Sequence, residues 1–185
     1  YLKLMEISDE MCKRLLHHEG LYYPLGLGPH GLVSEALLLH MKSPAIHGAL
    51  NMIYRYGITE DETYAQKVYP YLRGVADFWE KDLVCRDGVY HVVGDGMHER
   101  TDGNIRDNGV PEDPVNTLGY LKTFFTWMPR ISEALDLDEK KREKWLEIAE
   151  NLAPYPKGTI REIQENPTLW KEVDVKLEDL LPEEM

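Results

Sequence analysis

Apolar residues recur along most of this chain at intervals of three and four, the spacing that lines one face of a helix. In residues 2–16 they are Leu4, Met5, Ile7, Met11, Leu15 and Leu16, and a helix is expected there, closed over 17–20 with Gly20 in the C′ position. Residues 21–31 lose the period. Glycines and prolines interleave with Leu21, Tyr22, Tyr23, Leu25 and Leu27, which predicts a structured loop packed on the core, followed by a short helix over 32–40. Ser43 and Pro44 predict an N-cap and a first helical residue, with the helix running through Ile46, Ala49, Leu50, Ile53 and Tyr54 to a stop at Gly57. Thr59 and Glu62 have capping-box spacing and open a longer helix to about residue 83. Pro70 inside it should bend or break it, because proline lacks an amide hydrogen and crowds the carbonyl four residues back.

The period changes after Cys85. Asp87 and Gly88 are a turn signal, and Val89, Tyr90, Val92 and Val93 favour extended backbone, so a hairpin-like excursion is expected near 85–93. Apolar residues then nearly vanish from 94 to 112, which reads as a long surface loop. Asp113 and Pro114 predict the cap and first residue of a further helix carrying Leu118, Leu121, Phe124, Phe125, Met128 and Ile131, kinked at Pro129. Asp138 should cap a last helix bearing Trp145, Ile148, Ala149 and Leu152 and ending at Pro154. The fold class is therefore all-α. Tight turns around Gly57 and Asp136 make two antiparallel helix hairpins. Residues 1–158 form the helical domain, and 159–185 extend it.

Charge narrows the partners. The chain of 185 residues holds 33 acidic against 21 basic residues, a formal charge of −12. A nucleic-acid binder needs a basic face for phosphates, and an anionic membrane surface attracts basic segments, so neither partner is expected. The most apolar run, near 32–41, is interrupted by Ser34, Glu35 and His40 and is too short to span a bilayer. The opening residues mix charge into the apolar run and lack signal-peptide character. Starting at Tyr1, the sequence is expected to begin inside a longer product or after processing. Cys12 and Cys85 have neither disulfide-framework nor zinc spacing and read as core thiols.

Candidate chemistry concentrates in the polar loop, where Asp95, His98, Glu99, Arg100, Asp102, Asn104, Arg106, Asp107 and Asn108 lie between two strongly apolar helices. A carboxylate there could transfer protons if burial raised its pKa. The competing reading is a solvated loop that uses Asp and Asn as turn formers. His30, His40, His91 and His98 lack metal-ligand spacing, so no metal and no cofactor is expected. His17 and His18 read as helix-end residues, and His47 as half-buried on a helix. Of the aromatics, most have core spacing; Tyr22 and Tyr23, in a loop, are the candidates for stacking on a sugar.

Three stretches carry a resemblance. Residues 51–65 end a helix in Tyr56 and Gly57 and turn through Thr59 and Asp61; residues 68–79 hold Tyr69-Pro70, Leu72, Ala76 and Phe78-Trp79; residues 87–93 are extended. In this order, continued by 112–118 and by 135–138 with Trp145, they resemble the six-hairpin glycosidases, most closely the α-L-fucosidase-like branch. The resemblance implies part of an (α/α)6 toroid, about half of its twelve main helices. It implies glycosidic-bond hydrolysis by general acid/base catalysis on a carbohydrate substrate, with Glu99 as general acid and His98, Arg100, Asn104, Tyr23 and His30 as substrate-binding residues. The family's Ser-Pro-Glu motif is Met97-His98-Glu99 here, and the second carboxylate that such hydrolysis needs has no counterpart. Half a toroid would leave apolar helix faces for the remaining hairpins or a second copy to cover. A secreted or periplasmic location would suit a glycan hydrolase. The alternative is a non-catalytic helical scaffold or glycan-binding module of the same ancestry.

Overall fold

A computed structural model describes residues 2–24, 41–95 and 112–155, all within one unit that closes at Tyr155. The helix expected over 32–40 and the extension over 159–185 lie outside the described residues. A single 3-10 turn, Leu2–Leu4, leads into α1, Met5–Leu16; α2 is Pro44–Thr59, α3 Glu62–Asp82, α4 Val115–Ala134 and α5 Glu139–Glu150. Strands β1, Val84–Arg86, and β2, Val89–His91, pair antiparallel with Cys85 opposite Tyr90. The described chain is thus mainly helical with one small sheet. No described helix is long and apolar enough to cross a membrane.

Helix boundaries differ from expectation where side chains found other partners. Helix α1 closes at His17, which takes the left-handed conformation (φ 62°), and not at Gly20. Gly20 is needed for a close approach instead. At φ 128° it lies against the backbone of Phe78, where a Cβ would come within 2.5 Å of the Phe78 Cα. Helix α2 runs past Gly57 to Thr59, because Gly57 packs under the Trp127 indole of α4 and keeps its helical geometry. Thr59 turns its hydroxyl back to the Arg55 carbonyl at 2.9 Å, so Asp61 caps α3 by accepting the Tyr64 amide at 3.0 Å. The structure has this single cap where a reciprocal Thr59–Glu62 box was expected. Pro70 breaks nothing: it is exposed, so the carbonyl that its ring displaces can face water.

The two hairpins share one core. Helices α2 and α3 pack together, as do α4 and α5, and α2 also packs on α4. Trp79, Trp145, Tyr22, Tyr23, Tyr71, Phe78, Phe124 and Phe125 are its largest fully buried side chains. Trp145 is fixed by more than burial, since its indole N–H donates to Glu80 Oε1 at 2.7 Å across the α3–α5 contact. The turn between β1 and β2 puts Asp87 (φ 52°) and Gly88 (φ 81°) in the left-handed region, as a two-residue type I′ turn demands. Beyond α5 the chain lies alongside β2: Tyr90 N donates to Asn151 O at 2.8 Å and Ala153 N to Tyr90 O at 2.9 Å. Helix α5 accordingly ends at Glu150, four residues before Pro154.

Two of the three positive-φ glycines among the described residues separate strain from crowding. Gly20→Ala should destabilise by about 2–4 kcal/mol in urea unfolding, from strained φ and overpacking on Phe78 together. Gly88→Ala meets no atom within 4 Å and should cost about 1–2 kcal/mol from φ alone. Equal losses would show that the Phe78 contact is not tight.

Candidate functional site

Residues 96–111 lie outside the described residues, and with them His98, Glu99, Arg100 and Asn104; His30 is outside them too. What the structure defines is how that polar segment is held at each end.

At its start stands Asp95, which is completely buried. One carboxylate oxygen accepts the backbone amide of Lys42 at 2.7 Å, and the other accepts the Thr117 hydroxyl, on α4, at 2.6 Å. Burial raises the Asp95 pKa, and nearby Asp82 adds to the rise; the two hydrogen bonds and Lys42 oppose it without overcoming it. The Lys42 ammonium lies beside this carboxylate. It donates to both oxygens of Asp82, at 2.8 Å each, and to the Val93 carbonyl at 2.9 Å. One lysine thus links the start of α2, the end of α3 and the strand leading to Asp95.

A Cys–His–Asp series adjoins the cluster. Cys12 Sγ is 3.6 Å from His18 Nδ1, and His18 Nε2 is 3.5 Å from Asp82 Oδ1. The types are those of a nucleophilic triad, but the thiol has no access and no thiolate character. Cys12 is fully buried, and burial, with Asp9 and Asp82, pushes its pKa up to about 12. His18 Nδ1 also lies 2.9 Å from the Glu19 carbonyl, and its ring packs on Phe78. It is therefore a half-buried core histidine and not an exposed helix-end charge. The Tyr22 hydroxyl is buried without a hydrogen-bond partner among the described residues, and burial, then Asp95 and Cys12, raise its pKa.

The far end of the segment is held by the hairpin. Asp113 was expected to cap α4, but it sits before Pro114, which takes the cap position, and at φ 57° it turns toward β2. Its amide donates to the Val92 carbonyl at 2.9 Å, and its Oδ1 accepts the Val92 amide at 2.8 Å. Its Oδ2 lies 2.7 Å from His91 Nδ1. Glu112 pairs with Arg86 through both oxygens, at 2.9 and 3.0 Å, and these bonds hold its carboxyl below the usual glutamate range. His91, Glu112 and Asp113 bring three donor atoms within 4.8 Å of one another.

Tyr23, the one candidate substrate-binding residue among those described, is fully buried and packs on Tyr71 at 5.8 Å between centroids; Tyr22 is buried likewise, stacked on Phe78. Asp138 holds the N-cap position of α5 as expected, but its side chain makes no capping bond; it accepts the Tyr69 hydroxyl at 2.9 Å and Arg73 Nε at 3.1 Å. His47 is exposed, not half-buried, and stacks on Tyr120. Cys85 is exposed on β1, because the hairpin edge leaves that position uncovered; of the two cysteines only Cys12 is a core thiol. Lys42, Asp82 and Thr117 gave no signal in the sequence, being ordinary polar residues near helix ends and far apart along the chain. No family model matches the chain, and no curated protein matches it.

Two outcomes follow from this chemistry. A carboxyl whose folded pKa is raised binds its proton more tightly in the native state, so its contribution to stability is largest in acid. That contribution is lost as pH rises from the ordinary aspartate value of 3.8 through the raised one. Asp95→Asn lacks this titration, and unfolding free energies across that range should shift in the variant's favour as pH rises; a constant difference would refute a raised Asp95 pKa. With a thiol reagent at neutral pH, the native protein should modify Cys85 alone, and Cys12 should react only on denaturation.

Proposed function

We propose that this chain contributes to a glycoside hydrolase of the six-hairpin type, with Glu99 as general acid. The observation that supports the reading best is the anchoring of the polar segment 96–111. Asp95 is locked to Lys42 and Thr117 at one end, and Glu112 and Asp113 to Arg86 and His91 at the other. Catalytic groups must be held in place by a rigid surround, and segments carried between packed helices meet that demand. Antiparallel helix hairpins with a small extended excursion before the acid-bearing segment are also what the toroid requires. Ile7 and Leu15 on α1 are 40% and 47% exposed, which suits completion by further helices or a second copy. The carbohydrate substrate and the roles of His98, Arg100, Asn104 and His30 rest on the resemblance of sequence.

A second reading, a non-catalytic helical scaffold or glycan-binding module, is favoured by one observation. Tyr23, the one candidate substrate-binding residue among those described, is fully buried in the core.

Turnover separates the two. The full-length protein, screened on aryl glycosides and oligosaccharides beside Glu99→Gln, should hydrolyse a glycoside, and the variant should lose about 10²–10⁴-fold in rate with its fold intact. Activity that survives the substitution removes Glu99 from the mechanism. No activity on any glycan favours the scaffold.

A further inference from the structure

We propose that His91, Glu112 and Asp113 form a binding site for a divalent transition-metal ion. The donor set is an imidazole and two carboxylates, the mixed nitrogen and oxygen surround that suits such ions. With His91 neutral the three carry a charge of −2, matched to a dication. The donors lie within 4.8 Å of one another. Ligands around one ion at about 2.1 Å are roughly 3.4 Å apart in a tetrahedron, so a modest inward rotation closes the set.

Rigid backbone supports two of the three. His91 is on β2, in register with Val84 of β1. Asp113 is fastened to the residue after that strand by a pair of backbone-directed bonds with Val92, and the Val92 amide on Oδ1 fixes the plane of its carboxylate. An outer hydrogen bond of this kind commonly orients a metal-ligating carboxylate. On binding, the hydrogen shared between His91 Nδ1 and Asp113 Oδ2 moves to Nε2, and both atoms turn a lone pair to the ion. Glu112 is exposed and free to rotate inward once it leaves Arg86.

Arg86 is the competitor, and its presence gives the inference a distinctive signature. Its guanidinium bonds to both oxygens of Glu112 and sets a positive charge beside the site, so it competes with a metal there. The pair is about half exposed on each side, and an ion pair of that kind is weakly held. Removing Arg86 should therefore strengthen metal binding, by freeing Glu112 and by taking a positive charge away from the ion, while the ligand substitutions at His91 and Glu112 tie that binding to this donor set.

The test is titration of the purified full-length protein with Zn2+ near pH 7 by calorimetry, with Co2+ absorption as an independent report of coordination. Wild type should bind at this site with one-to-one stoichiometry. His91→Ala and, separately, Glu112→Gln should weaken binding at least about tenfold, and Arg86→Ala should tighten it several-fold, each with an unchanged circular dichroism spectrum. Glu112→Gln is exposed and keeps the test valid if His91→Ala loosens the hairpin. Binding unaltered by both ligand substitutions, no binding at all, or an Arg86→Ala protein that binds more weakly would each overturn the assignment.

Discussion

Burying one ammonium group obliges this fold to bring several stretches of chain to it. Lys42 is 12% exposed and cannot remain charged among helices without acceptors on every side. Asp82 at the end of α3 supplies two, and the Val93 carbonyl beyond β2 supplies the third. The Lys42 amide then fixes Asp95, which reaches Thr117 on α4. Positions distant in sequence are thereby set against one another with specific distances, which apolar contact alone would leave loose. Withdrawing one partner from such a buried pair costs about 3–5 kcal/mol, because the other charge is stranded.

The same arrangement explains how a polar segment can leave an apolar core at a defined place. Its first anchor is buried and neutralised by backbone and hydroxyl donors. Its second is half exposed and rests on ion pairs and on strand-like bonds to Val92. The two ends therefore differ in character: the Asp95 side chain is sealed from solvent, and the Glu112–Asp113 pair is open to it.

Elements that follow from local physics were legible in the sequence. The periodic apolar faces of α1 to α5, Pro44 at the first turn of α2, and Asp87-Gly88 between two β-prone runs all depend on neighbours close along the chain. What escaped prediction depends on distant partners. Asp113 and Asp138 have the sequence pattern of caps, yet His91 and Val92 claim one, and Tyr69 and Arg73 the other. Gly57 reads as a stop until Trp127 from α4 is laid upon it. Cys85 reads as core by residue type, but all three residues of β1 are exposed, because the small sheet leaves that strand uncovered. The candidate site was legible as a region of unusual polarity and not as a geometry, since its supports, Lys42, Asp82 and Thr117, are isolated in sequence.

The parallel contact between Tyr90 and Leu152 has a bearing on how the protein is made. The partners are 62 positions apart, as their numbers show, and Leu152 is translated after all five described helices. Until then the outer edge of β2 has its amide and carbonyl groups open, and an open strand edge is a template for pairing with other chains. A nascent or truncated polypeptide that stops within α5 would carry that adhesive edge with nothing to cover it. Residues 151–155, directly after α5, thus protect the hairpin from its own neighbours in a crowded cell.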